Sequence, residues 1–324
     1  MWRKISAILI PTGIAFGILA FMLLRVWDDL FTTISSFDPA YITIAVIICL
    51  FGWILRGWRY KAILKGLSVR VGLWFSTACI LLSQTANLIV PARLGDLFRI
   101  FILKHEGMAG YSQGISSLLI ERIFDVVIIA LLGLIALPFV IGTPEWFLPL
   151  IAVPIIGGIV LAIILMLLGD KTSENRYLHI IYGMLTEIRA ASLNPVALTV
   201  LGISSMVIWI FDIAVCYVIV QMFGEVIPIS IVVLAVVVGN LVKAVPITPG
   251  GVGTYEFVLA ITFELAGTAP VTATVIAVVD HLIKNLVTLG GGIASLYYFG
   301  EWAVSLMKRS FSEGITKEEL SDAR

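Results

Sequence analysis

Charge is scarce in this chain. Only 13% of its 324 residues are Asp, Glu, Lys or Arg, against about 25% in a soluble globular domain. A water-soluble fold is excluded and an integral membrane protein is implied. The formal net charge is zero and there is no basic patch, so no nucleic-acid partner is expected. Cysteine is sparse too. Cys49, Cys79 and Cys216 each lie in an apolar run without CxxC or Cys/His spacing, and read as small hydrophobes rather than disulfide partners or metal ligands. With histidine only at His105, His179 and His281, neither a metal site nor a Ser/His/Asp arrangement is expected. The patterns GxxxxGK[ST] and GxGxxG within a βαβ unit are missing, which implies no nucleotide fold and no cofactor.

What the chain has in abundance is apolar sequence, 60% of all residues. Crossing the hydrocarbon takes about 20 apolar residues. Full-length candidates are Ile5–Leu24, Tyr41–Leu55 with some extension, Ile115–Ile141, Trp146–Leu168, Pro195–Met222 and Val271–Phe299. The first is too long for a signal peptide and has no small-residue cleavage site, so a retained helix is expected. Two further regions are interrupted: Val71–Leu103 around Pro91–Gly95, and Ile227–Leu265 around Pro246–Gly253. The polar stretches Arg56–Arg70, Asp170–Asn194 and Glu301–Arg324 read as loops or tails. No stretch is long and hydrophilic enough for a separate soluble domain, so a single membrane domain, 1–324, is expected.

Lysine and arginine set the orientation. Arg56, Arg59, Lys61, Lys65 and Arg70 place their segment in the cytoplasm, and Asp28, Asp29 and Asp38 then fall outside. If each interrupted region dips in and returns to its own side, Lys104, the 170–194 segment and the tail lie inside. Arg25 is then the only basic residue outside. This predicts an all-α polytopic protein of the cell membrane with both termini cytoplasmic. About six helices cross fully, and two re-entrant broken-helix hairpins complete the fold.

The interrupted regions resemble each other. "NLIVPARLGDLFR" and "NLVKAVPITPGGVGTYEF" both begin Asn-Leu-aliphatic, reach a proline, and place a glycine four residues beyond Pro91 or Pro249. Each precedes a long helix with charges, which aligns Glu121 with Asp280, Arg122 with His281, Asp125 with Lys284 and Gly133 with Gly292. The repeats cover about 71–141 and 227–299, with a tail at 300–324. Because the charge argument starts one from the cytoplasm and the other from outside, they form an inverted repeat. That is a recurring plan of secondary transporters, whose substrates bind where broken helices meet.

Ionisable residues within a bilayer each cost about 2.5–3.5 kcal/mol and mark functional sites by default. Here they are Arg93, Asp96, Arg99, Glu121, Arg122, Asp125, Asp212, Lys243, Glu256, Asp280 and Lys284. Opposite charges recur at helix-neighbour spacing: Asp96 with Arg99, Arg122 with Asp125, Asp280 with Lys284. Glu121 and Asp125 share a face and repel unless a cation intervenes, the candidates being Arg93, Arg99 and Lys243. One polar cluster built by both repeats is expected. A structural reading, in which these pairs only lock helices together, stands beside the functional one.

In "PITPGGVGTYEF", prolines deny helix on both sides, while Gly250, Gly251 and Gly253 permit backbone conformations closed to other residues. Thr248 can cap, and a helix is predicted to begin near Val252–Tyr255. Its free N–H groups and positive dipole end would suit an anion. Pro91 similarly suits the first turn of a half-helix beside Arg93. The candidate substrate-binding set is therefore Arg93, Arg99, Lys243, Thr248, Gly250, Gly251, Gly253 and Glu256. Asp96, Glu121, Arg122, Asp125, Asp212, Asp280 and Lys284 form the charge-coupling or structural set, in which Glu121 and Asp125 organise the cations or carry a coupled proton.

"PARLGDLFR", "SSLLIERIFD" and "ITPGGVGTYE" together resemble the transmembrane region of the lysylphosphatidylglycerol synthetase, or flippase-like, family, over roughly residues 5–300. That resemblance implies handling of a modified lipid between leaflets. The best-understood members of that family carry an aminoacyl transferase domain beside this region and others carry glycosyltransferase domains, whereas this chain resembles a stand-alone member. These 324 residues hold neither, so lipid aminoacylation is not expected. By motif the resemblance singles out Pro91, Arg93, Gly95, Asp96, Arg99, Glu121, Arg122, Asp125, Thr248 to Gly253 and Glu256. Asp280-His281 stands where an arginine is common. The expected function is translocation of an anionic lipid, a phospholipid or a polyprenyl-phosphate-linked sugar, by a protein that is not an enzyme. Its partners are that lipid and the bilayer; a homo-oligomer is left open. The rivals are a membrane transferase or transferase subunit acting on lipid-linked sugars, and a small-solute secondary transporter.

Overall fold

A computed structural model describes residues 2–28, 38–90, 93–140, 142, 144–168, 173–245 and 247–305, without the side chains of residues 2–9 and 176. Pro91, Pro246 and most of the C-terminal tail, about which the sequence raised expectations, lie outside the described residues. The described residues form an all-helical bundle without strands. Its helices are α1 (Trp2–Arg25), α2 (Ala40–Gly66), α3 (Leu73–Ile89), α4 (Asp96–His105), α5 (Tyr111–Ala136) and α6 (Phe147–Leu168). They continue with α7 (Arg176–Ser192), α8 (Pro195–Met222), α9 (Ile229–Ala244), α10 (Thr254–Leu265) and α11 (Pro270–Phe299).

This is the architecture of a polytopic membrane protein. Helices α2, α6, α8 and α11 are long and apolar enough to cross a bilayer. Helix α5 is also long enough, at 26 residues, but carries Glu121, Arg122 and Asp125. Helix α6 has no charged residue and leaves Val153, Ile156 and Leu167 exposed along its length. An apolar outer face of that kind belongs against lipid.

Two polar stretches differ from the loop expectation. Residues 56–66 continue α2 as helix, and Arg176–Ser192 forms α7. Helix α2 outruns its apolar segment because its charged end is embedded: Arg59 and Tyr60 are fully buried. Gly57 also lies so close to Thr77 of α3 that no Cβ fits there. In α7, the Asn175 side chain caps the first turn by accepting from Tyr177 N–H at 3.0 Å. Glu187 then accepts hydrogen bonds from Ser112 and Ser116 of α5, both at 3.0 Å.

The chain twice follows the order helix, break, helix, long helix: α3–α4–α5 and α9–α10–α11. The packing crosses between the two units, since α3 lies on α11 and α9 on α5. Small residues permit both approaches. Gly292 of α11 abuts Thr85 of α3, and Gly133 of α5 faces Val237 of α9. These are the two glycines aligned in the sequence. Arg25, the basic residue on the acidic side of the charge map, makes a fork-shaped pair with Glu264 at the end of α10, both contacts at 3.0 Å.

Candidate functional site

Both breaks form where the backbone leaves helical geometry. Arg93 has φ +54, a left-handed conformation rare outside glycine. Across from it, Gly250 and Gly251 have φ +61 and +78. A Cβ on Gly251 would meet the Lys243 side chain at 2.5 Å, so this glycine lets the lysine lie across the turn. Nη2 of Arg93 donates to the Lys243 carbonyl oxygen at 3.0 Å, joining the first break to the end of α9.

Between the breaks lies a cavity of about 180 Å³, large enough to hold several waters. The long helices line it with matching faces at one constant sequence offset. Arg122, Asp125, Val126 and Ile129 of α5 answer His281, Lys284, Asn285 and Thr288 of α11. The residues opening each break correspond as well, Asn87 and Leu88 with Asn240 and Leu241. The polar cluster expected of both units is therefore present around one cavity.

Its charges fall into two sets. The first is largely buried and paired with opposite charges, although Nε of Arg59 and Arg99 and Oδ1 of Asp280 make no hydrogen bond among the described residues. Arg59 donates to Asp125 at 2.5 and 3.1 Å, to Glu121 at 3.3 Å and to Ser205 at 2.8 Å. Arg99 is also buried, bound to Glu121 and within 3.7 Å of Asp96, with its guanidinium 5.1 Å from the Tyr60 ring. Asp96 further accepts from Arg122 at 3.1 Å and Asn87 at 2.9 Å. On the other side Lys284 bridges Asp280 at 3.0 Å and Asp212 at 3.2 Å. Asp212 takes Arg56 at 3.3 Å, and Tyr255 donates to Asp280 at 2.8 Å.

The second set faces the cavity without a carboxylate. Among the described residues, Arg93 hydrogen-bonds only the Lys243 carbonyl, and Lys243 hydrogen-bonds only the His281 imidazole, at 2.9 Å, with its ammonium 5.4 Å from the centre of the Tyr255 ring. The indole N–H of Trp209, which borders the same cavity, is buried and has no hydrogen-bond partner among the described residues. Five cations, Arg56, Arg93, Arg122, Lys243 and Lys284, share the lining with three carboxylates, Glu121, Asp125 and Asp212. The cavity therefore offers anion-binding capacity at Arg93 and Lys243.

Several expectations change. Arg99 does not reach the cavity; two carboxylates and the Tyr60 face absorb its charge in the interior. Glu256 is not exposed to a ligand either. Its carboxylate turns back to accept from Gly253 N–H at 2.8 Å, so the chain's own anion fills the start of α10. Gly253 accordingly lies outside the lining, and Thr248 makes no cap, its hydroxyl standing 3.2 Å from that of Thr254. Thr248, Gly250 and Gly251 do border the cavity, while Asp96 and Asp280 support it from behind. Arg122 pairs with Asp96 rather than Asp125.

The cation between Glu121 and Asp125 is Arg59, which reads as a loop residue in sequence. The intramembrane residues recognised there comprise six carboxylates and five cations. That imbalance is a signal for a further cation, although the candidates named in sequence were Arg93, Arg99 and Lys243. His281 and Tyr255 also line the cavity, and single aromatic residues on apolar helices give no signal of that in sequence.

A model of the lysylphosphatidylglycerol synthase TM region matches residues 8–292. The chain belongs to that family. Relatives similar to it include the glycosyltransferase AglD of Haloferax volcanii, 30% identical over 99% of this chain. The chain spans 59% of the length of that relative. A UPF0104 membrane protein of Methanothermobacter thermautotrophicus is 23% identical, covering 91% of this chain and 96% of its own length. A UPF0104 membrane protein of Methanocaldococcus jannaschii is 30% identical over 55% of this chain and 79% of its own. For this lysylphosphatidylglycerol synthase TM region protein, the central charged cavity lies wholly within the matched residues.

Proposed function

We propose that this membrane protein translocates an anionic lipid between leaflets, holding the headgroup's phosphate or carboxylate between Arg93 and Lys243. The observation that carries this reading is the pair of cavity-facing cations whose described partners are all neutral. At an effective dielectric of about 20, a unit anion 4 Å from one cation gains about 4 kcal/mol, enough to help offset headgroup desolvation. Gly250 and Gly251 give the headgroup access to backbone, and Thr248 adds a hydroxyl.

In this proposal the two helix-break units are an inverted repeat of re-entrant hairpins, and rocking of one against the other alternates access. The crossed packing of α3 on α11 and α9 on α5, and the matched lining faces, support it. The protein is then a transporter rather than an enzyme, with N- and C-termini cytoplasmic in the cell membrane. Reconstituted in liposomes, it should accelerate leaflet exchange of a labelled anionic lipid, and Arg93→Ala should slow that exchange. No acceleration for any anionic lipid, with Arg93→Ala matching wild type, would sink the proposal.

A second reading draws on the Haloferax relative: a membrane-embedded partner in, or catalyst of, transfer from lipid-linked sugars. Turnover of a lipid-linked sugar by the detergent-purified protein would favour it.

A further inference from the structure

His281 borders the cavity although its side chain is 1% exposed. Its Nδ1 lies 2.7 Å from Oε1 of Glu256, whose other oxygen accepts from Gly253 N–H. A carboxylate can only accept, so Nδ1 carries the hydrogen and Nε2 keeps its lone pair. The Lys243 ammonium donates to that lone pair at 2.9 Å.

Other groups near the imidazole are already engaged. Asp280, the preceding residue on α11, is held by Lys284 and Tyr255, whose ring centroid lies 4.7 Å from that of His281. Of the helices packed on α11, α10 contributes Glu256 and Tyr255, α8 contributes Asp212, and α2 contributes Arg56 at its cavity end. Asp212 binds both Arg56 and Lys284. Helix α3 has no charged residue. Lys243 is thus the donor that occupies Nε2, and among the described residues it is also a cation with no carboxylate within ion-pair distance.

We infer that Lys243, His281 and Glu256 form a proton-coupled anion switch, in which an anion that draws the Lys243 ammonium away leaves His281 to accept one proton. This rests on the anion-carrying reading of the cavity. When Lys243 turns to the anion, Nε2 loses its donor in a buried place, where an unpaired polar atom is unfavourable. A proton given up by a buffer acid in the bulk and relayed through cavity water forms an N–H bond at Nε2, and Glu256 stands against the resulting imidazolium. One negative and one positive charge enter together, so net charge is conserved and movement responds to a pH gradient rather than to membrane potential. Glu121 and Asp125, clamped by arginines, serve as fixed charges.

The test is calorimetric titration of the purified protein with dihexanoylphosphatidylglycerol near neutral pH, in two buffers of different ionisation enthalpy. Wild type should take up about one proton per lipid bound. Glu256→Gln, which keeps the hydrogen bond from Gly253, and His281→Gln should each bind with no proton uptake. Lipid binding by wild type without proton uptake overturns the switch and leaves the anion site standing. Uptake unchanged in both variants also overturns it. Absence of binding to wild type overturns both readings. If the variants fail to fold, the wild-type proton count decides alone.

Discussion

Replacing Arg59 with methionine tests the buried network most sharply. Arg59 is fully buried and makes four hydrogen bonds, three of them to the carboxylates of Glu121 and Asp125. Methionine fills similar space but leaves Asp125 without its direct cation and Glu121 with Arg99 alone. Removing one partner of a buried pair destabilises by about 3–5 kcal/mol. At roughly 2 °C per kcal/mol for a chain of this size, Tm should fall by about 6–10 °C. An arginine in a solvated loop would change stability by about 0.5 kcal/mol or less. Cys79 and Cys216 are fully buried, so a thiol-reactive fluorophore in detergent reports unfolding directly. Because losing both charges is gentler than stranding one, the double variant with Asp125→Leu should recover part of the loss. A Tm for Arg59→Met within about 1 °C of wild type, the loop value, would refute the clamp.

Three further outcomes are expected. Gly251→Ala places a side chain at φ +78 against Lys243; it should cost about 1–2 kcal/mol in stability and weaken binding of a soluble anionic lipid in titration. Gly292→Ala drives a methyl group into Thr85, so α3 and α11 must separate, lowering stability by about 1–3 kcal/mol in the same thermal assay. Arg25→Ala removes a pair whose arginine is half-exposed; thermal stability should change by less than about 1 kcal/mol.

Much of this molecule was legible in its sequence. Apolar runs marked Pro195–Met222 and the whole of Phe147–Leu168, and proline and glycine marked both breaks, because membrane length and helix-breaking chemistry act locally. Alignment of Glu121–Gly133 with Asp280–Gly292 anticipated the matched faces of α5 and α11, since constant helical spacing preserves which residues share a side. Tertiary pairing was less readable. The basic run after Trp53 reads as a loop on charge, and only the arrival of Glu121, Asp125 and Ser205 from other helices explains the burial of Arg59. Similarly, Arg93 and Arg99 are equivalent by composition. Their difference arises from the turn at Arg93, which aims it at the cavity, and from Glu121, which neutralises Arg99. The glycine turn suggested an open helix start, but Glu256 closes it from within the same turn.

Leaflet exchange of fluorescent phosphatidylglycerol against fluorescent phosphatidylcholine, in liposomes holding wild type or the Arg93→Ala/Lys243→Met double variant, tests anion carriage most directly. The two cavity cations predict faster exchange of the anionic lipid. They also predict a fall of at least about tenfold in the double variant, about 1.4 kcal/mol of barrier, with Tm little changed. Equal exchange of both lipids, or a double variant as fast as wild type, would contradict it.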